Sequence, residues 1–188
     1  PAFYDQKKSG RWDWMVKYGE VAKAAMEWRK THSLTLAATD TVKTCLLLID
    51  PQVTFCHGEG ELPVAGAPAD MDRVAQFIYR NLGSITRVAI THDTHKLMQI
   101  FHPFMLVDQN GNHPADYTCI TEADVDAGKW EINPEVAWSL TLNESTGQVN
   151  YVALRAHLRH YLKQLVVQQR GGLIVWPYHG ILGGIGHN

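Results

Sequence analysis

The chain has 188 residues, of which 45% are hydrophobic and 19% charged, with 17 Lys and Arg against 19 Asp and Glu for a formal net charge of -2. That balance argues against a disordered chain and against a broad nucleic-acid-binding surface, both of which need a stronger charge bias. The longest purely aliphatic run, Leu46-Leu47-Leu48-Ile49, falls far short of the roughly 18 apolar residues of a membrane span, and Pro1 to Gly10 is polar with no secretory core, so a cytoplasmic protein is expected.

Cys45, Cys56 and Cys119 are odd in number and form no Cys-x-x-Cys pair, which disfavours a disulfide framework and a cysteine-rich zinc knuckle. From Arg11 to Lys30 the residues Trp14, Tyr18, Val21, Ala25 and Trp28 recur at three- and four-residue steps, predicting an amphipathic helix. Trp12, Trp14 and Trp28 suit either a partner surface, as in a homo-oligomer, or packing on their own domain. Thr31 to Thr41 reads as a connector, so residues 1–43 form a helix and linker ahead of an α/β domain at 44–188.

Thr44 to Asp50 is a continuous apolar run halted by Pro51, the pattern of a strand buried on both faces of a parallel sheet. A Gly-containing loop, Gln52 to Ala67, precedes a predicted helix over Asp70–Leu82, which presents Met71, Val74, Phe77, Ile78 and Leu82 on one face and stops at Gly83. Arg87 to Thr91 is a second buried strand, completing a β-loop-α-β unit. The polar segment from Pro103 to Asn150, with Asn110-Gly111, Gly128, Pro134 and Thr146-Gly147 as turn signals, is expected to be an irregular insertion. Tyr151 to Gln169 is a third amphipathic helix, and Leu173-Ile174-Val175-Trp176 a third buried strand ended by Pro177. Within the insertion Asn143-Glu144-Ser145 fits a glycosylation sequon but reads as a polar loop.

Each expected strand is followed by polar residues: Asp50 after the first, Asp93 and His95 after the second, His179 after the third. Ligands of open α/β sheets bind beyond the carboxyl ends of the strands, where these four residues would converge. Asp93-Thr94-His95 sets a carboxylate and an imidazole on one side of an extended segment, within reach of one divalent ion. With His179 they make up a two-His, one-carboxylate set, suited to catalytic Zn²⁺ or to non-haem Fe²⁺, and ligand type alone does not choose between them. The alternative is that Asp93 caps a turn while the histidines satisfy loop backbone. His92, pointing the opposite way along the strand, and His102, read as a loop residue, are weaker ligand candidates. Asp50, partly desolvated at a strand end, suits general-base work or simply a turn.

Leu47-Leu48-Ile49-Asp50-Pro51-Gln52, then Phe55-Cys56, then the loop from Gly60 to Ala67 resembles the opening motif of the isochorismatase-like cysteine hydrolases, and of the nicotinamidases among them. Thr91-His92-Asp93-Thr94-His95 is similar to that family's Thr-x-Asp-x-His metal motif, and Trp176-Pro177-Tyr178-His179 to its Trp-Pro-x-His. The resemblance covers roughly residues 44–102 and 172–188. It implies a three-layer α/β/α fold with a mainly parallel sheet, and an amidohydrolase acting on the C–N bond of a small aromatic or heterocyclic amide through an Asp-Lys-Cys triad. Asp50 would be the base. Asp93, His95 and His179 would hold a divalent metal, Zn²⁺ first, with Fe²⁺ or Mn²⁺ as alternatives, and Phe55 and Trp176 would wall the substrate pocket.

The chain departs from the family pattern in four places. Gln99 stands where nicotinamidases have a further His, so a fourth protein ligand requires His102 to substitute; Gly180 replaces the usual Cys; and the 103–150 insertion is long. The family's Lys and nucleophilic Cys both follow Trp-Pro-x-His. Cys56 matches a structural position and Lys129 reads as a surface residue, so the expectation is that the triad is completed beyond Asn188, in a continuation of the domain or on a second chain. Two other readings are metal-assisted hydrolysis without a cysteine nucleophile, and a binding or assembly module that keeps the fold without the activity.

Overall fold

A computed structural model of the protein describes residues 1, 2, 4, 5, 7, 15–143 and 145–184. These form a mixed α/β structure with six α-helices and short strands, divided into two compact units, Pro1–Thr94 with Gly183–Asn188, and His95–Leu182. Among the described residues no helix is long and apolar enough to cross a membrane.

The first unit contains α1 (Tyr18–Thr31), β1 (Cys45–Leu48), α2 (Val53–Cys56), α3 (Ala67–Arg80) and β2 (Arg87–Ile90). Trp12 and Trp14 lie outside the described residues; Trp28 stacks on His32 at 4.0 Å and meets the edge of Tyr79 in α3 at 6.2 Å, so it packs on its own unit. The α3 helix begins three residues ahead of its first predicted position. Gly66 adopts the left-handed region, with φ 86°, and Pro68 follows in the first turn, where a missing N–H costs nothing. It ends before Gly83 because the Asn81 side chain donates to the Phe77 carbonyl at 2.7 Å.

Strands β1 and β2 pair in parallel, from Cys45 opposite Arg87 to Leu48 opposite Ile90, as the β-loop-α-β reading requires. Their expected burial on both faces is not found. Leu46 and Leu48 are half-buried, lining a groove with Val74 and Phe77 of α3, whereas Leu47 and Ile49 on the opposite face are 55% and 65% exposed. One helix covers one face of the pair, and nothing among the described residues of this unit covers the other. The ladder runs one rung further: Thr91 donates its N–H to Leu48 O at 3.0 Å, and Asp50 donates to Thr91 O at 3.1 Å. There the chain turns away, since Asp50 takes φ 49° and Pro51 has no N–H to give.

The second unit contains β3 (Leu106–Val107), β4 (Cys119–Ile120), α4 (Glu122–Asp126), β5 (Glu131–Ile132), α5 (Pro134–Thr141), β6 (Leu142–Asn143), β7 (Gln148–Val149), α6 (Tyr151–Val167) and β8 (Leu173–Ile174). Its ladders are antiparallel, β3 with β5, β4 with β8 and β6 with β7. Leu173–Ile174, expected as a third parallel strand, therefore pairs antiparallel with a strand from the segment read as an insertion. That segment is not irregular. It supplies Leu106, Ile120, Val125, Val136 and Ala137, all fully buried, to a core shared with Leu154, Leu158 and Leu162 of α6 and with Leu173 and Val175. The Leu154, Leu158 and Leu162 spacing puts the three on one face of α6, while Val152, off that face, is 82% exposed. The helix starts at an Asn150 cap whose side chain accepts from the Ala153 N–H at 2.9 Å. Its neighbour α4 has a capping box, Thr121 with Asp124, which holds the Asp124 carboxyl below the usual range through the Thr121 hydroxyl and N–H.

Candidate metal centre

The chain returns to one place in the second unit after β8. Val175 donates to Thr118 O at 2.9 Å and Trp176 donates to Phe101 O at 2.8 Å, which carries Pro177-Tyr178-His179 back beside residues 95–102. His95 then brackets the following turn, donating its N–H to Gly180 O at 2.8 Å and accepting from Leu182 N–H at 2.9 Å in a parallel bridge with Ile181. Gly180 sits at φ 55°, a backbone region that favours glycine, which gives a local reason for Gly where the family pattern has Cys.

Three histidine rings converge there. His95 and His179 lie 4.8 Å apart between ring centroids, and each offers a ring nitrogen within 4.8 Å of the other's. His102, at the start of a 3₁₀ turn over Pro103–Met105, stands 5.8 Å from His95 and 5.7 Å from His179. His179 is buried, and since a carbonyl only accepts, its Nδ1 donates to the Pro177 carbonyl at 2.6 Å. His102 is fully buried and its Nδ1 donates in the same way to Leu97 O at 3.0 Å, but its Nε2 finds no hydrogen-bond partner among the described residues. An unpaired buried acceptor is costly and uncommon in folded proteins. Burial pulls the His102 ring below the usual imidazole range, the backbone bond to Leu97 opposes this, and His179 and His95 push it further down. A neutral imidazole with a free Nε2 fits a soft-to-borderline divalent cation.

Aromatic rings surround the cluster. Phe101 meets His95 at 4.9 Å, Tyr178 meets His102 at 5.1 Å and Trp176 meets His179 at 6.2 Å. Trp176 is 40% exposed. The sequence marks His102 as a loop residue and a weaker ligand candidate that could substitute for the missing fourth His; the structure brings its ring beside His95 and His179.

The remaining expected site residues, Asp50, Phe55 and Asp93, belong to the first unit. Asp50 is half-buried, and its carboxylate Oδ1 accepts from the Thr91 hydroxyl at 2.7 Å. Phe55 lies in α2, half-buried. Asp93, one residue removed from His95 along the chain, is half-buried and held through its backbone by Gln52: the Gln52 amide oxygen accepts the Asp93 N–H at 2.6 Å, and its amide nitrogen donates to Asp93 O at 3.0 Å. Burial pushes the Cys56 thiol up, away from the thiolate that a nucleophile needs. Lys129 is on the surface, paired with Asp124 at 3.2 Å. His92 is exposed. Comparison of the chain with protein-family models, with curated proteins and with solved structures returns no match.

Proposed function

We propose that the chain carries the base and the metal ligands of an isochorismatase-like, nicotinamidase-like amidohydrolase, a three-layer α/β enzyme of the cytoplasm that cleaves the C–N bond of a small aromatic or heterocyclic amide. The observation that carries this reading is the convergence of His95, His102 and His179 with the Nε2 of His102 buried and unpaired. Asp93, fixed by sequence two residues before His95, is the carboxylate ligand, and the ion is Zn²⁺, with Fe²⁺ or Mn²⁺ as alternatives. In nicotinamidases, which the motifs resemble, such an ion holds the pyridine nitrogen of the substrate and does not activate the nucleophile. Trp176, and in the resemblance Phe55, stack on the ring. Asp50 takes the thiol proton from the cysteine of the Asp-Lys-Cys triad that the resemblance implies. The thiolate attacks the amide carbonyl, ammonia leaves, and water hydrolyses the thioester.

The test has two arms. The 188-residue chain, stripped with chelator and titrated with Zn²⁺, should bind one ion, and His179→Ala should weaken that binding by about 100-fold or more, since a ligand counts for more than the outer residues that orient it. Absence of binding overturns the metal centre. The natural protein, assayed for ammonia release from nicotinamide and related amides, should lose activity on thiol alkylation and by at least about 100-fold in Asp50→Asn. Chelator-sensitive release that survives alkylation would replace the cysteine mechanism with metal-assisted hydrolysis, and no release from any amide would favour a binding module.

A further inference from the structure

We infer that Gln52 is the positioning residue of the Asp93 carboxylate, an inference that rests on the metal centre proposed above. In a parallel ladder the next rung after Ile49 and Thr91 would set Pro51 opposite Asp93. Backbone groups flanking Pro51 would accept the Asp93 N–H and donate to its carbonyl. The first strand cannot supply them, because Asp50 has turned into the left-handed region and the chain is entering α2. The Gln52 side chain fills the gap. Its primary amide has the donor and acceptor of a peptide group, and it makes both bonds to Asp93, at 3.0 Å and 2.6 Å. At 1% exposure it has no water to exchange them with.

The consequence concerns direction. Asp93 is past the last strand rung and would otherwise sit on a free loop end, whereas a ligand must be held within about 0.5 Å of its productive place. Two hydrogen bonds from one rigid, buried group fix the Asp93 peptide planes on either side of Cα, and with them the direction in which the carboxylate leaves the backbone. Glutamate at 52 would keep the acceptor and lose the donor. Methionine would fill the space and lose both.

The experiment is a Co²⁺ titration of the full 188-residue chain, followed by the visible d–d absorption that reports coordination, on Gln52→Met, Gln52→Glu, Asp93→Ala and the Gln52→Met/Asp93→Ala double variant. Thermal unfolding in chelator reports folding separately. Gln52→Met should lower Co²⁺ affinity by about 10- to 100-fold and alter the band intensity, as loss of a residue that orients a ligand does. Gln52→Glu should fall between it and the unsubstituted chain, and it carries the test should the methionine variant fail to fold. In the Asp93→Ala background the Gln52→Met change should have no further effect, because the group it positions is gone. Unchanged affinity and spectrum in Gln52→Met and Gln52→Glu, or an equal further loss in the Asp93→Ala background, overturns the inference. An unsubstituted chain that does not bind Co²⁺ overturns the metal centre itself, and is told apart because no substitution is involved.

Discussion

The two units bury very different things. In His95–Leu182 the fully enclosed side chains are mostly aliphatic, Leu106, Ile120, Val125, Val136, Leu158, Leu162 and Val175 among them, and the buried His102 and His179 stand against that core through Phe101 and its neighbours. In the first unit the buried residues described are Gln52, Thr54 and Ala67, while Leu47, Val88 and Ile90 of its parallel strands, and Ile49 just after the first, are exposed. Strand-forming sequence and core-forming sequence are therefore not the same. A run of Leu and Ile shows that a strand can form, but burial depends on how many layers close over it. One helix against two strands covers one face; α6 against short antiparallel ladders closes a core.

That contrast can be broken most directly by truncation. Leu158→Ala should destabilise the chain by about 2–5 kcal/mol, because it opens a cavity in an enclosed site, whereas Leu47→Ala should cost under about 1 kcal/mol, as at an exposed position. Chemical denaturation of the two variants measures this, and equal losses would mean that the first unit has a hidden core of its own. Amide hydrogen exchange sharpens the same difference. Backbone N–H groups of the second unit's core, at Val125, Leu158 and Val175, should open only with global unfolding, while those of β1 and β2 should exchange through smaller openings several kcal/mol cheaper. Protection in β1 equal to that of α6 would contradict the contrast.

The smallest effect concerns a single cap. Thr121→Ala removes the hydroxyl that bonds the Asp124 N–H and carboxylate, and should cost about 1 kcal/mol near neutral pH. Because the Asp124 carboxyl is held below its ordinary value in the folded chain, its contribution is present above about pH 4 and is lost as pH falls through the folded value. Thr121→Ala should therefore flatten the loss of stability below pH 4, which melting temperatures across an acid series would show.

Much of the local structure was legible in the residues. The helix over 67–80, the α6 helix and the parallel pairing of β1 with β2 follow from apolar spacing and from a crossover long enough for a helix. The Asp93-x-His95 pair and the His after Trp176-Pro177 are visible as motifs. What could not be read were facts of pairing and enclosure. Leu173–Ile174 has the composition of a parallel strand, yet its partner is Cys119–Ile120, and no feature of four apolar residues states a partner or a direction. Residues 103–150 look polar and turn-rich because their strands are two residues long, too short for an alternating pattern to register.

By itself the sequence determined the chemistry that is on hand: a strand-end Asp, an Asp-x-His, a Trp-Pro-x-His, and cysteines with no partner motif. These depend on residue identity and on spacings of a few bonds, which the covalent chain sets. Only the tertiary structure decided that His102 is enclosed beside His95 and His179 with an unpaired nitrogen, and that Gln52 stands in for a missing rung of the ladder at Asp93. Both depend on which groups are left without water or backbone partners once distant segments close together, and that balance exists only in the folded chain.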